Sequence, residues 1–223
     1  MSKSILIVGA SRGIGLGLAR ELASRGWSVH ATERDRSDDL HEAADGTEIT
    51  VHTADVTEPE SYADLGIAEG SLDAILINAG ITGAKHQDAA QATAEEVAHI
   101  MMTNAYGPAR MGKALLPLIK DGGTLAFMSS ILGSIANSSG GYDLYGTSKT
   151  AQNMLAKGIA EKDAGSRKIQ VLSLHPGWVQ TDMGGSGATL TVDESVTGLA
   201  DVIENAGSGG YRYLDYTGKE LPF

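Results

Sequence analysis

Short apolar runs and helix-spaced apolar stripes alternate along the whole chain. Ser4–Val8 is rich in β-branched residues and is followed by glycine, which predicts a buried strand. Behind it Ile14, Leu16, Leu18, Ala19, Leu22 and Ala23 recur with helical spacing until Gly26 stops them. Residues 27–32 and Ile49–Thr53 read as the second and third strands. Residues 72–78 (LDAILIN) are almost continuously apolar, as a strand covered on both faces must be. Two helices are predicted over 93–104 and 109–120, the first opened by Thr93 with Glu95 and Glu96 behind it. Gly122 and Gly123 then break the pattern before a strand over 124–129. A long helix starts within 142–145 and runs to about Glu161, and strand 169–175 ends at Pro176-Gly177. Helix 192–205 and strand 211–214 complete the chain. Strands and helices in this alternation imply right-handed βαβ units and a mainly parallel, doubly wound α/β sheet in a three-layer sandwich. No shift of composition and no fixed-period repeat divides residues 1–223, so one domain is expected.

Composition narrows the function. Lys and Arg number 17 against 28 Asp and Glu, a net charge of −11, which disfavours nucleic acid and anionic membranes as partners. There is no cysteine, so disulfides, thiolate metal sites and a cysteine nucleophile are excluded. The apolar run before Gly9 is too short for a signal-peptide core, and no stretch approaches a membrane span; a cytoplasmic location is the expectation.

The glycine-rich segment 9–15 (GASRGIG) falls between the first strand and the first helix. There a backbone must turn sharply and approach a pyrophosphate at a helix N-terminus, and a Cβ would occupy the phosphate's space. Its spacing is G-x-x-x-G-x-G, and by itself it is weak evidence, since a tight turn without a ligand is the alternative. The second strand ends Ala31-Thr32-Glu33-Arg34. Glu33 suits the ribose hydroxyls of NAD(H), whereas Arg34, with Arg12 from the glycine turn, suits the 2′-phosphate of NADP(H). Thr32, expected to face the ribose, brings no repelling charge; the balance favours NADP(H) with NAD(H) possible.

Tyr145 and Lys149 stand four apart on the long predicted helix and so share one face. An ammonium near the phenol would lower its pKa from about 10 and poise it as an acid or base. Alone, a Y-x-x-x-K pair is ordinary surface. Here Ser129-Ser130 closes the preceding strand at its C-terminal end, where ligands sit in open parallel sheets. The Ser130 hydroxyl would donate to a substrate carbonyl, and Asn104 would hold a water in a relay to Lys149.

These residues resemble the classical short-chain dehydrogenases/reductases, a family of Rossmann fold, over essentially the whole chain. The resemblance rests on 9–15, Asp55-Val56, Asn78-Ala79-Gly80, Asn104, Ser130, Tyr145 to Lys149 (YGTSK), and Pro176-Gly177 with Thr181. Residues 175–185 (HPGWVQTDMGG) and 215–222 (DYTGKELP) further resemble the C-factor/sniffer-type carbonyl reductases. The resemblance implies hydride transfer between NAD(P)(H) and a ketone, aldehyde or secondary alcohol. It implies Tyr145 as general acid/base, Lys149 lowering its pKa and binding the nicotinamide ribose, Ser130 orienting the carbonyl and Asn104 completing the relay. Gly9, Ser11, Arg12, Gly13, Ile14 and Gly15 would hold the pyrophosphate side, and Thr32 and Arg34 the adenosine ribose. Asp55 and Val56 would meet adenine, and Asn78, Ala79 and Gly80 would support the sheet and the adenosine ribose. Pro176, Gly177, Val179 and Thr181 would meet the nicotinamide half. A homodimer or homotetramer is implied through helices 93–120 and 142–161, with Ile100, Met101, Leu115 and Leu155 as available apolar groups.

Two departures stand out. Val8 replaces the family's usual Thr, and the interval from Ser130 to Tyr145 is longer than the commonest one, with an insertion placed at 137–141 beside the substrate. The six histidines lack metal-ligand spacing, so no metal is expected, and His175 reads as packing. Met101, Met102 and Met111 read as core or helix interface, Trp178 and Met183 as substrate-side or packing residues, and 184–191 as a short mobile flap. A regulatory dinucleotide-binding protein with little turnover is the alternative to an enzyme.

Overall fold

A computed structural model describes residues 2–223. Among them the strands are β1 (Ser4–Val8), β2 (Ser28–Glu33), β3 (Ile49–Thr53), β4 (Leu72–Ile77), β5 (Ile119–Met128), β6 (Gln170–His175) and β7 (Tyr211–Asp215). The helices are α1 (Gly13–Ser24), α2 (Asp38–Ala44), α3 (Ala94–Met101), α4 (Gly107–Leu115), α5 (Asp143–Ile159) and α6 (Val192–Glu204). The strands form one sheet in the order β3-β2-β1-β4-β5-β6-β7, every neighbouring pair parallel. This is the doubly wound, Rossmann-type sandwich expected of the sequence.

The continuous apolar runs serve two cores at once. Ile5 and Ile7 pack on one face of the sheet with α1 and α6, while Leu6 and Val8 pack on the other face with α4 and α5. Ala126 and Met128 against Leu125 and Phe127, and Leu172 and Leu174 against Val171, repeat the division. A strand whose alternate side chains both meet apolar cover cannot show polar alternation, which is why these runs read as unbroken.

Three features of the element order differ from expectation. The helices predicted over 93–104 and 109–120 form one path, because a π-helical turn, Met102–Tyr106, joins α3 to α4 with right-handed helical backbone throughout. The wider turn lies just before Pro108, where the α-helical hydrogen bond has no N–H donor. At its far end α4 stops at Leu115, since Pro117 follows in a 3₁₀ turn and Ile119 already pairs with Leu72. The helix α2 was not visible in the sequence; it buries only Leu40, too little to make a stripe. Ile100 and Leu115, expected at a subunit surface, are instead 1% and 4% exposed inside the chain. The apolar side chains that α3, the π-turn and α5 leave outside are Val97, Met102, Tyr106 and Met154. Among the described residues no helix is long and apolar enough to cross a membrane.

Candidate active site at the carboxyl edge of the sheet

The strand order reverses between β1 and β4, so the loops leaving these two strands open side by side, the usual ligand crevice of such a sheet. Gly9 leaves β1 with φ +84°, and a Cβ there would lie 2.9 Å from the Ala79 backbone. Asn78 braces the turn: its amide donates to the Gly9 carbonyl at 2.7 Å, and its own N–H and that of Ala79 donate to the Val8 carbonyl. Thr32 is fully buried and its hydroxyl accepts from the Gly9 N–H at 3.0 Å. Its expected place facing a ribose is therefore corrected: Thr32 supports the glycine turn from behind, where Val8 supplies no hydroxyl.

Gly13, Ile14 and Gly15 are the first residues of α1, whose N–H groups have no partner within the helix. Helices α3 and α6 close the same gap with capping boxes, Thr93 with Glu96 and Thr191 with Glu194. By contrast α1 has no side-chain cap and no acidic residue in its first turn, so its positive end is free to meet an anion. Across from it runs the segment after Pro176-Gly177. Thr181 comes within 3.4 Å of a Cβ built on Gly13, and Asp182 pairs with Arg12 at 3.2 Å with both side chains exposed. Val179 is buried, and the stretch around it is tied to itself by Leu190 N–H to the Trp178 carbonyl and Gln180 N–H to the Leu190 carbonyl. Trp178 Nε1 also donates to the Gly184 carbonyl at 2.9 Å.

At the adenosine end, Ser11 accepts at its carbonyl from the Ser37 hydroxyl at 2.7 Å. Arg34 lies exposed, paired only with its neighbour Asp35. One carboxylate oxygen of Asp55 accepts from the Thr57 N–H and hydroxyl, and Val56 is buried.

The proposed proton-transfer residues gather one strand over. Ser130 follows β5, its hydroxyl accepting from the Leu132 N–H at 3.2 Å, while its carbonyl accepts from the Tyr213 hydroxyl of β7. Tyr145 lies in the first turn of α5. Burial pushes its phenol up to about 12, and the Ser130 hydroxyl pulls it the other way. Lys149, 3% exposed one turn along, donates to the Met128 carbonyl at 2.7 Å and to Gln152 Oε1 at 3.3 Å. Burial pushes its amine down to about 7. Its Nζ is turned to the strand carbonyl and sits 5.7 Å from the Tyr145 ring centre. Asn104 is fully buried in the π-helical turn, and its amide clasps the N–H and carbonyl of Ile81 and the Ser148 hydroxyl. A Cβ on Gly80 would lie 3.2 Å from Asn104 Oδ1 and 3.4 Å from Lys149 Nζ, so these three residues meet at one point.

Gln87 escaped the sequence reading. It has φ +56°, is 8% exposed, donates to the Thr82 and Ala84 carbonyls and accepts from the Tyr145 N–H at 2.9 Å. It fixes where α5 begins, and nothing in a polar loop distinguishes it beforehand. Gln152 was readable in principle, being one helical turn beyond Lys149 on the same face.

His175, just before Pro176, has its Nδ1 buried without a partner, and burial pushes the ring down to about 4 from 6.5. Because the folded state holds this ring neutral, the unfolded chain binds the extra proton. The pKa shift of His175 therefore costs nothing above about pH 6.5 and destabilises progressively as the pH falls towards 4. His30 and His52 are lowered in the same sense by burial. Thermal melts of His175→Gln should lose less stability than the parent between pH 6.5 and 4. Parallel melting curves for the two would refute this assignment.

A glycine-cradled helix N-terminus at a sheet crossover, with a Ser, a Tyr and a Lys on the adjoining strand and helix, defines the dinucleotide-dependent α/β oxidoreductases. A family model described as enoyl-(acyl carrier protein) reductase matches residues 9–200, and the chain belongs to the short-chain dehydrogenase/reductase family. Among curated relatives, the C-signal of Myxococcus xanthus is 38% identical over 70% of this chain and 96% of its own. A carbonyl reductase of Pseudomonas aeruginosa PAO1, solved in complex with NADP, is 38% identical over 100% of both chains with a TM-score of 0.91. The carbonyl reductase Sniffer of D. melanogaster is 31% identical over 100% of both chains with a TM-score of 0.89.

Proposed function

We propose that this oxidoreductase is an NADP(H)-dependent carbonyl reductase acting on a small ketone or aldehyde, or in reverse on a secondary alcohol. What carries the reading is Ser130, Tyr145 and Lys149 together at the carboxyl edge of the sheet, next to an α1 N-terminus left uncapped. When bound, the nicotinamide supplies or accepts the hydride. Gly9 makes the turn, and the N–H groups that follow it, from Ser11 and Arg12 through Gly13, Ile14 and Gly15, hold the pyrophosphate. Arg12 and Arg34 take the 2′-phosphate, while Asp55 and Val56 bound the adenine side. Asn78, Ala79 and Gly80 floor the crevice, and Pro176, Gly177, Val179 and Thr181 border the nicotinamide half.

The Ser130 hydroxyl orients the carbonyl oxygen, and Tyr145 gives its proton to that oxygen as negative charge develops there. A phenol held protonated by burial suits this direction, since the acid is ready at neutral pH. Lys149, whose amine exchanges its proton near neutrality, returns the proton to Tyr145, and Asn104 completes the relay that supplies Lys149. The test is a titration with NADPH and NADH, followed by nicotinamide fluorescence. Tighter NADPH binding and NADPH oxidation with a panel of aldehydes and ketones are expected; failure to bind either dinucleotide would refute the reading.

A further inference from the structure

The end of β2 contains an apparent contradiction. Glu33 stands between Thr32 and Arg34, where a free carboxylate would repel a ribose 2′-phosphate, yet the neighbouring cations suit that phosphate. The structure resolves it by turning the carboxylate inward. Glu33 is 6% exposed; one oxygen accepts from the Ser37 N–H at 2.6 Å and the other meets His41 Nε2 at 2.9 Å. Facing a carboxylate, Nε2 must carry the proton. The same nitrogen is 3.3 Å from Arg36 Nη1, so that contact is a close approach of two donors and adds positive charge behind the carboxylate. Ser37 is fixed in turn: its hydroxyl donates to the Ser11 carbonyl and caps α2 at Leu40. Arg34 and Arg36 remain outside, each paired only with an exposed aspartate, Asp35 and Asp38.

We propose that Ser37 and His41 form a lock on Glu33 that sets cofactor choice: with the carboxylate held inside, the adenosine end is left to its cations, Arg12 and Arg34 with Arg36 beside them, and accepts a 2′-phosphate. Glu33 and His41 are specificity-determining residues that act without touching the cofactor. This rests on the dinucleotide reading above.

The experiment measures NADPH and NADH affinity of the parent, His41→Ala, Glu33→Gln and the double variant. Releasing the carboxylate in His41→Ala should weaken NADPH by roughly tenfold or more, the scale of one unit charge at an exposed site. NADH should bind as before or tighter. The double variant, in which the released group is neutral, should recover NADPH affinity, and Glu33→Gln alone should bind NADPH at least as tightly as the parent. Equal loss of both cofactors in His41→Ala, with no recovery in the double variant, would make the lock merely structural and overturn the proposal. If His41→Ala does not fold, Glu33→Gln still decides: selective loss of NADPH there refutes the lock. A parent that binds NADPH and NADH equally well also refutes it while leaving the dinucleotide reading standing. A parent that binds neither removes both.

Discussion

Tyr145→Phe should abolish carbonyl reduction, lowering kcat by about 10²–10⁴-fold or more, while NADPH affinity stays within about twofold of the parent. Only the phenolic oxygen is lost. The backbone N–H of Tyr145 keeps its bond to Gln87, and the ring keeps its place in the first turn of α5. Folding should therefore be undisturbed. No other acid is placed to substitute, since Lys149 points its Nζ at the Met128 carbonyl and Asn104 spends its amide on Ile81 and Ser148. The comparison is steady-state kinetics beside dinucleotide titration on the same preparations. Turnover retained within tenfold would remove Tyr145 as the proton donor and shift attention to a water held by Ser130. Loss of cofactor binding along with turnover would mean that Tyr145 shapes the dinucleotide site.

Much of this geometry was legible because the sheet is buried on both sides. Runs such as residues 5–8 and 74–77 face two apolar cores, and that demand leaves no other pattern possible for them. The glycine turn was legible for a different reason: a chain leaving β1 for α1 in so few residues needs positions without a Cβ. The features that stayed hidden depend on long-range partners. Glu33 looks like an exposed acid until the N–H of Ser37 and the ring of His41 turn it inward. Thr32 looks like a ribose contact until Gly9 claims its hydroxyl. Where the Lys149 amine points was not legible, because spacing on a helix gives a shared face but not the direction of a long side chain, which here follows the Met128 carbonyl. The π-helical turn that aims Asn104 inward is likewise a local register shift, invisible to a search for helical stripes.

Gly15→Ala should destabilise the fold by about 2–3 kcal/mol and cut dinucleotide affinity at least tenfold, although alanine is the better helix former. Gly15 lies in α1 without a positive φ, so backbone preference alone would favour alanine by up to about 1 kcal/mol. Packing decides the other way. An added Cβ would lie 2.1 Å from the Gly9 carbonyl oxygen and 2.7 Å from Asn78 Nδ2. Neither can yield cheaply, since the amide donates to that carbonyl and Gly9 is pressed against Ala79. Relief requires α1 to move away from β1, and with it the N–H groups that face the crevice. Gly158→Ala supplies the control, because it lies in α5 with nothing within 4 Å of a built Cβ. There only the propensity term acts, and the melting temperature should rise slightly with cofactor binding unchanged. Should both variants melt alike and bind alike, the glycine turn would be yielding enough to absorb a methyl group, and its role as a rigid anion cradle would have to be given up.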